Sequence, residues 1–301
     1  MNEGSKAKLS VVVAASHDTS SLERCLLSLQ EQRNSASLEV IVATNFDDGA
    51  AEMIRSRFPR FVHLDLPADT TVPELRSHGI AHASGEVVAI TEDNCIADQE
   101  WCSEIGKAHE LSYSIIGGSV DNAASSRHID WAVYFYEYGK YMPPNRAGVV
   151  SALPGNNVSY KRSVLDGMQE SFQGGFYETF VHQRLAKTGQ KLYMAPSAIV
   201  RHCRSYSFNE AVAQCYHHGR SFAAMRAAGA TALRRAALVL GSPLLPVLLP
   251  SRIAAGVVKK RRHVGQLLLC LPQLVVLMTS WSWGEFLGYL RGAGDSARRW
   301  K

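Results

Sequence analysis

Residues Gly85–Trp101 read GEVVAITEDNCIADQEW. A small-residue turn leads into Val87-Val88-Ala89-Ile90, and the run stops abruptly at Glu92-Asp93-Asn94. A short apolar run bounded by turn residues is the pattern of a strand buried on both faces in a parallel sheet. Such strands present ligand-binding residues at their carboxyl edge, where the next loop begins. Two carboxylates and an amide oxygen on that edge make an oxygen-rich site of the kind Mg²⁺ or Mn²⁺ takes. A solvated acidic loop would read the same way, and this stretch alone leaves both readings open.

Upstream, strand and helix patterns alternate. Leu9 to Ala15 is dense in β-branched residues and predicts a buried strand. Ser16 to Ser21 supplies turn and N-cap chemistry, and Leu22 to Gln32 places Leu22, Cys25, Leu26 and Leu29 on one helix face. Leu38–Ala43 predicts a second strand, Ala50–Arg57 a helix stopped by Pro59, and Phe61–Leu66 a third strand. Val72–Ala83 predicts a helix that ends at Ser84-Gly85. This alternation implies right-handed βαβ units and a parallel sheet. Fold alone names no function.

The 301 residues suffice for one large α/β domain or two modest ones, and 46% apolar with 20% charged residues is ordinary for a globular chain. The net charge of +5 is concentrated late, in Lys259-Lys260-Arg261-Arg262 and Arg298-Arg299. Such clusters suit an anionic membrane face or nucleic acid. No zinc-finger spacing or RNA-binding aromatic motif accompanies them, so no nucleic-acid partner is expected. Six scattered cysteines without a C-x-x-C pair argue for free thiols. The polar start, with an apolar run too short for a signal peptide, places the globular part in the cytosol as an expectation.

Several stretches in colinear order resemble a known family. They are Leu22-Glu23-Arg24-Cys25-Leu26-Leu27-Ser28-Leu29-Gln30-Glu31-Gln32 and Arg76-Ser77-His78-Gly79-Ile80-Ala81-His82-Ala83-Ser84-Gly85-Glu86, then Glu92-Asp93-Asn94. Pro154-Gly155-Asn156-Asn157-Val158-Ser159-Tyr160-Lys161-Arg162 follows, then Glu178 six residues before Arg184. Gly189, Tyr193, Pro196 and His202 precede Tyr216-His217-His218-Gly219-Arg220. Over roughly residues 8 to 222 the chain is similar to the inverting GT-A glycosyltransferases of family 2. That resemblance implies a nucleotide-diphospho-sugar transferase fold, a Rossmann-like mixed α/β sheet with flanking helices, here followed by a hydrophobic helical segment. It implies domains of 1–222 (a nucleotide-sugar half 8–110 and an acceptor half 111–222) and 223–301.

The resemblance also implies roles. Glu92, Asp93 and Asn94 stand at the metal motif, with His202 as a further metal or diphosphate contact and a divalent cation, Mg²⁺ or Mn²⁺, as cofactor. Ser16, Asn45, Arg76, Glu92, Asp93, Gly155, Asn156 and Asn157 stand where the family contacts its donor. Glu178 matches the base, and a partly buried carboxylate whose pKa is raised acts as one at neutral pH. By local sequence alone Glu178 reads first as a helix-dipole partner and His202 as a packed or solvated histidine, while Arg76 reads either as a phosphate contact or as a loop cap. Arg204 and Arg220 are further phosphate candidates.

Three positions depart from the family pattern. Asn94 is neutral where a carboxylate is usual, no proline follows the first strand, and the second strand ends in Ala43-Thr44-Asn45 rather than an Asp, with Asp47-Asp48 a few residues later. A UDP or GDP type of sugar donor remains the expectation. Trp131 to Tyr138 is aromatic-rich and suits either sugar or isoprenoid contact or a helix core.

Val264 to Trp283 carries no charge and is close to the roughly 20 residues a spanning helix needs, but Pro272 interrupts it. Leu238 to Pro250 is shorter and broken by Pro243, Pro246 and Pro250. If both spanned, Lys259-Lys260-Arg261-Arg262 would lie outside, against the positive-inside rule. An in-plane or re-entrant arrangement at the cytoplasmic leaflet avoids this, with Trp281 and Trp283 as anchors. A helical subdomain packed on the rest of the chain is the other reading. The function expected is metal-assisted sugar transfer from a nucleoside diphosphate sugar to a saccharide or lipid-linked acceptor at the membrane, in polysaccharide biosynthesis. The alternative is a non-catalytic relative that binds glycans or scaffolds partners there.

Overall fold

Three parallel strand pairings follow directly from the β-branched runs. β1 (Leu9–Ala15) lies parallel to β2 (Leu38–Thr44) on one side and β4 (Val87–Glu92) on the other, and β2 lies parallel to β3 (Val62–Asp65). Their interiors, Val11 to Val13, Val40 to Val42 and Val88 to Ile90, are buried on both faces. The connecting helices are α1 (Thr19–Gln30), α2 (Ala50–Arg57) and α3 (Val72–His82). α1 begins earlier than its apolar pattern because Asp18 caps it, accepting the Ser21 N–H at 2.8 Å. β3 is shorter than expected because it is an edge strand with Val62 exposed.

The structure is a computed structural model and describes residues 8–32, 38–46, 48–124, 127–168, 172 and 174–299. Beyond β4 the sheet changes sense. β8 (Val158–Lys161) pairs antiparallel with β4 and with β6 (Ile115–Asn122). β9 (Leu192–His202) carries β5 (Cys95–Ala97) and β7 (Gly148–Val150), both antiparallel. The order is β3-β2-β1-β4-β8-β6-β9-β5, with β7 beside β9, a mixed sheet with helices on its flanks. α4 (Trp101–His109), α6 (Arg162–Asp166) and α7 (Glu178–Lys187) complete this part.

Contacts among the described residues divide the chain into two units, Met1–Asp121 with Tyr141–Cys203, and Asn122–Lys140 with Arg204–Lys301. The sheet belongs to the first. The second holds α5 (His128–Tyr138), α8 (Phe208–Ala227), α9 (Ala232–Gly241), α10 (Leu245–Lys260), α11 (Val264–Arg291) and α12 (Ser296–Arg299). α8 therefore groups with the C-terminal helices rather than with the sheet. It packs along α11, where a Cβ on Gly284 would lie 2.2 Å from the Tyr216 carbonyl oxygen, so only glycine permits the approach.

The prolines break less than their number suggests. Pro243 sits in a 3-10 turn (Ser242–Leu244) and Pro246 in the first turn of α10, where a missing N–H costs no helical bond. Pro250 and Pro272 lie inside continuous helices. The aromatic run of α5 is core, with Trp131, Tyr134 and Phe135 buried. Trp281 is half-buried between Tyr136 and His218, its ring 5.5 and 4.7 Å from theirs, so it packs inside this unit.

Candidate functional site

The carboxyl ends of β1, β2 and β4 meet at one edge of the sheet, and the acidic turn follows β4 there. Register sets Ala14 beside Glu92, and the Asp93 N–H donates to the Ala14 carbonyl at 3.3 Å. The Asp93 side chain is fully buried. It accepts the backbone N–H groups of Ser16 at 3.0 Å and His17 at 2.9 Å, and its other oxygen lies 2.5 Å from His17 Nδ1. Three donors on one carboxylate satisfy it where it stands. Asp93 thus ties the turn to the loop after β1.

Asn94 faces the opposite way. Its carbonyl accepts the Cys203 N–H at 2.8 Å and the Cys203 thiol at 3.1 Å, and its side-chain oxygen accepts the Cys95 thiol at 3.3 Å. β5 and β9 place Cys95 opposite His202, so His202 is buried next to the same turn. Asp93, Asn94 and His202 are gathered around one bend, with their side chains turned inward.

Glu92 is engaged differently. Its Oε1 lies 2.5 Å from Arg76 Nη2, and Arg76 Nη1 donates to Glu178 Oε2 at 2.8 Å. One buried guanidinium from α3 thus joins the acid at the end of β4 to the acid that opens α7, two acids separated by 86 residues of chain. Burial opposes the Arg76 charge, but Glu178 and Glu92 together hold its pKa above the ordinary value.

Glu178 keeps a quarter of its side chain exposed. It rests on Gly155, where a Cβ would come within 2.7 Å of the carboxyl carbon, so the Pro154–Asn157 loop accommodates the acid only because residue 155 has no side chain. Burial pushes the Glu178 carboxyl up, but the Arg76 guanidinium, with a smaller contribution from His182, outweighs it and holds the pKa below the usual value. This reverses the direction expected from burial alone. One turn along α7, His182 Nε2 lies 2.7 Å from the buried Tyr160 hydroxyl, and burial lowers its pKa to about 4 against the pull of Glu178.

The remaining donor candidates divide by what their polar atoms already do. Asn157 spends its amide on structure: Oδ1 accepts Trp101 Nε1–H at 2.8 Å, and Nδ2 donates to the Ser119 and Ala198 carbonyls. Asn45 donates to the Thr70 carbonyl at 2.6 Å, ahead of α3. Asn156 gives Nδ2 to Cys95 Sγ, while its Oδ1 and the Ser16 Oγ are buried without a hydrogen-bond partner among the described residues. Asp47 lies outside the described residues, and Asp48 is exposed. Arg204 and Arg220 belong to the second unit, where Arg204 pairs with Glu210 at 2.8 Å and Arg220 Nε donates to the Gly292 carbonyl.

Sequence reading missed His17 and the Tyr160–His182 pair. A histidine directly after a strand end was the only signal for the first; the second had none, since β8 and α7 meet only in three dimensions.

No group of three or more His, Cys, Asp or Glu side chains among the described residues is arranged to hold a metal ion. Asp93 and Asn94 are committed to protein partners, which leaves Glu92, with 13% of its side chain exposed, as the acid of the turn that reaches solvent. Mg²⁺ and Mn²⁺ accept one or two carboxylates when substrate phosphates and water fill the rest of the shell. The residues fit such an ion through Glu92, in exchange for part of its contact with Arg76.

A family model described as Glycosyl transferase family 2 matches residues 10–168. No curated protein sequence matches. Among solved structures, the mannosyltransferase PcManGT from Pyrobaculum calidifontis, in complex with GDP-Man and Mn²⁺, superposes with a TM-score of 0.55 at 15% identity, over 96% of this chain and 86% of that one. TarS 1-349 of S. aureus in complex with UDP-GlcNAc gives 0.54 at 12% identity, over 66% of this chain and 59% of that one. GalNAc-T7 with UDP, GalNAc and Mn²⁺ gives 0.52 at 13% identity, over 68% and 45%. At these identities the likeness concerns the fold.

Proposed function

The chain belongs to glycosyl transferase family 2, and from that premise we propose that it is an inverting glycosyltransferase acting on a nucleoside diphosphate sugar of UDP or GDP type. The structures it resembles hold UDP-GlcNAc, UDP with GalNAc, or GDP-Man, which supports the donor class. The acceptor would be a hydroxyl of a saccharide or lipid-linked saccharide. Residues 8–110 would supply the donor half, 111–222 the acceptor half, and 223–301 the membrane-associating region at the cytoplasmic face. Two long, apolar, largely exposed C-terminal helices support the last point. The observation that carries the reading is the Arg76 bridge, which brings the acidic strand end and the candidate base to one place.

In this reading Glu178 is ionised at neutral pH and lies open beside Gly155. Its carboxylate takes the proton of the acceptor hydroxyl as that oxygen bonds to the anomeric carbon. The bond from the anomeric carbon to the diphosphate oxygen breaks, the nucleoside diphosphate leaves with the electron pair, and attack from the opposite face inverts the centre. Arg76 keeps Glu178 in its accepting form at some cost in basicity. Asn156 Oδ1 and Ser16 Oγ would hydrogen-bond the donor, while Asp93, Asn157 and Asn45 would hold the loops around it and His202 would back the turn. A divalent ion, Mg²⁺ or Mn²⁺, held through Glu92 would neutralise the leaving diphosphate.

Thermal stabilisation by a panel of nucleoside diphosphate sugars, with and without Mn²⁺, tests this on the wild type, Glu92→Ala and Glu178→Gln. One donor should stabilise the wild type by about 2.7 kcal/mol at a hundredfold its Kd. Glu92→Ala should lose the Mn²⁺-dependent part, and Glu178→Gln should keep donor binding without turnover. Absence of stabilisation by every donor would overturn the proposed function.

A further inference from the structure

We propose that α9, α10 and α11 lie in the plane of an anionic phospholipid leaflet, embedding one apolar stripe each, and that neither long helix crosses the bilayer. The inference rests on the membrane-associated reading above and adds its geometry. By length and composition alone Ala232–Lys260 and Val264–Arg291, 29 and 28 residues long and each with an apolar stretch whose mean hydropathy is 1.6, are long enough to span. Burial tells the two faces of α11 apart. Leu267, Leu274, Met278, Glu285 and Tyr289 are buried, whereas Leu268, Val275, Val276, Trp283 and Leu290 are 67, 40, 42, 57 and 50% exposed. The exposed set recurs at helical spacing along the whole length of the helix, which makes a surface stripe.

The buried face of α11 packs on α5 and α8. These neighbours carry Glu137, Glu210, His217, Arg220 and Arg226, a composition unsuited to hydrocarbon. Both ends of the helix are held to them. At the start, the His263 ring lies 4.6 Å from Trp131, and Lys260 Nζ donates to the Lys140 carbonyl at 2.9 Å. At the far end, Arg220 Nε donates to the Gly292 carbonyl at 3.0 Å. Spanning would carry the basic turn across about 30 Å of hydrocarbon. It would either break these contacts or take polar helices in with it. Lying flat requires neither.

α9 and α10 present a matching surface. Leu233, Leu240, Leu244, Val247 and Val258 are 82, 78, 61, 70 and 55% exposed, again at helical spacing. Exposed Arg234, Arg235, Arg252, Lys259 and Arg261 accompany them. Residues 223–301 hold twelve Lys and Arg against two acids, Glu285 and Asp295, although the whole chain carries only +5. Apolar stripes with a basic surround match an anionic leaflet, to which each Lys or Arg contributes attraction.

The test uses the full-length protein added to sealed phosphatidylcholine vesicles with and without phosphatidylglycerol. Flotation should require phosphatidylglycerol, and replacing Arg234 and Arg235 by Gln should weaken partitioning roughly fivefold per charge. Brominated phosphatidylcholine should quench tryptophan fluorescence in the wild type and Trp281→Phe, but much less in Trp283→Phe. A membrane-impermeant maleimide outside the vesicles should label Arg261→Cys, read by mass spectrometry at that peptide. Flotation with position 261 shielded from the label would overturn the in-plane geometry while leaving membrane association standing. Failure to float, with sedimentation as a dimer, would overturn both and assign the stripes to a second copy of the chain.

Discussion

Each unit of the molecule buries a glutamate against an arginine, and the two arrangements differ in how fully the acid is satisfied. In the helical unit, Glu285 accepts Trp281 Nε1–H and the Tyr289 hydroxyl at 2.8 Å each, with Arg226 Nη1 at 3.5 Å, and only 4% of the residue is exposed. One acid has three donors, so it stabilises a packing and has little left to offer a ligand. In the sheet unit, two acids share the single guanidinium of Arg76, and one of them keeps a quarter of its side chain open. An over-subscribed cation beside an open carboxylate is the arrangement expected of a site that acts.

The strongest way to break this contrast is Glu178→Gln. Loss of a general base should lower kcat by about 10²–10⁴, with donor stabilisation unchanged in a thermal shift assay. Arg76→Gln comes next, since it leaves two carboxylates without their cation. Unfolding stability should fall by roughly 3 kcal/mol, the low end of the range for breaking a buried ion pair because Glu178 is partly solvated. The acid limb of the rate–pH profile should move to higher pH as Glu178 loses the charge that lowers its pKa. An unmoved limb would show that Arg76 does not control Glu178.

His182 supplies a pH test of the same unit. Its folded pKa of about 4 lies below the ordinary 6.5, so its contribution is complete above pH 6.5 and is lost as pH falls towards 4. The unfolding free energy should therefore drop over that window by up to about 3 kcal/mol, read by denaturant titration at each pH, and His182→Gln should flatten the drop. Glu178, also held low, works in the same direction at still lower pH.

Gly155→Ala should cost roughly tenfold in kcat, about 1.4 kcal/mol of barrier, because the new methyl meets the Glu178 carboxyl. The smallest effect belongs to the other unit. Glu285→Gln keeps an acceptor for Trp281 Nε1–H, turns the Tyr289 hydroxyl from donor to acceptor and loses the long Arg226 contact, so stability should fall by about 1 kcal/mol with turnover unaffected. A large loss of turnover there would erase the contrast between the two acids.

Much of the sheet unit was legible in sequence because its signals are local. The β-branched runs of β1, β2 and β4 and the apolar face of α1 each depend on neighbours within a few residues, whereas the exact start of α1, set by the Asp18 cap, was not read. The acidic turn was recognisable as a site candidate from its strand end, whereas Glu178 became one only through the family resemblance. The commitments of individual polar atoms were not. Asn157 and Asn156 are adjacent in a loop and chemically identical, yet the first is spent on Trp101, Ser119 and Ala198 while the second keeps an unpartnered oxygen. No local pattern separates them.

The apolar tail shows the same division. Composition alone established that 223–301 is hydrophobic and basic, and that alternating strands and helices precede it, since periodicity and charge need no partner to be read. Only tertiary structure decided that Trp281 packs inward while Trp283 is exposed, that His17 meets Asp93, and that Arg76 stands between Glu92 and Glu178. Those pairings join residues far apart in the chain, and the order of strands and helices, not sequence neighbourhood, sets which side chains face one another.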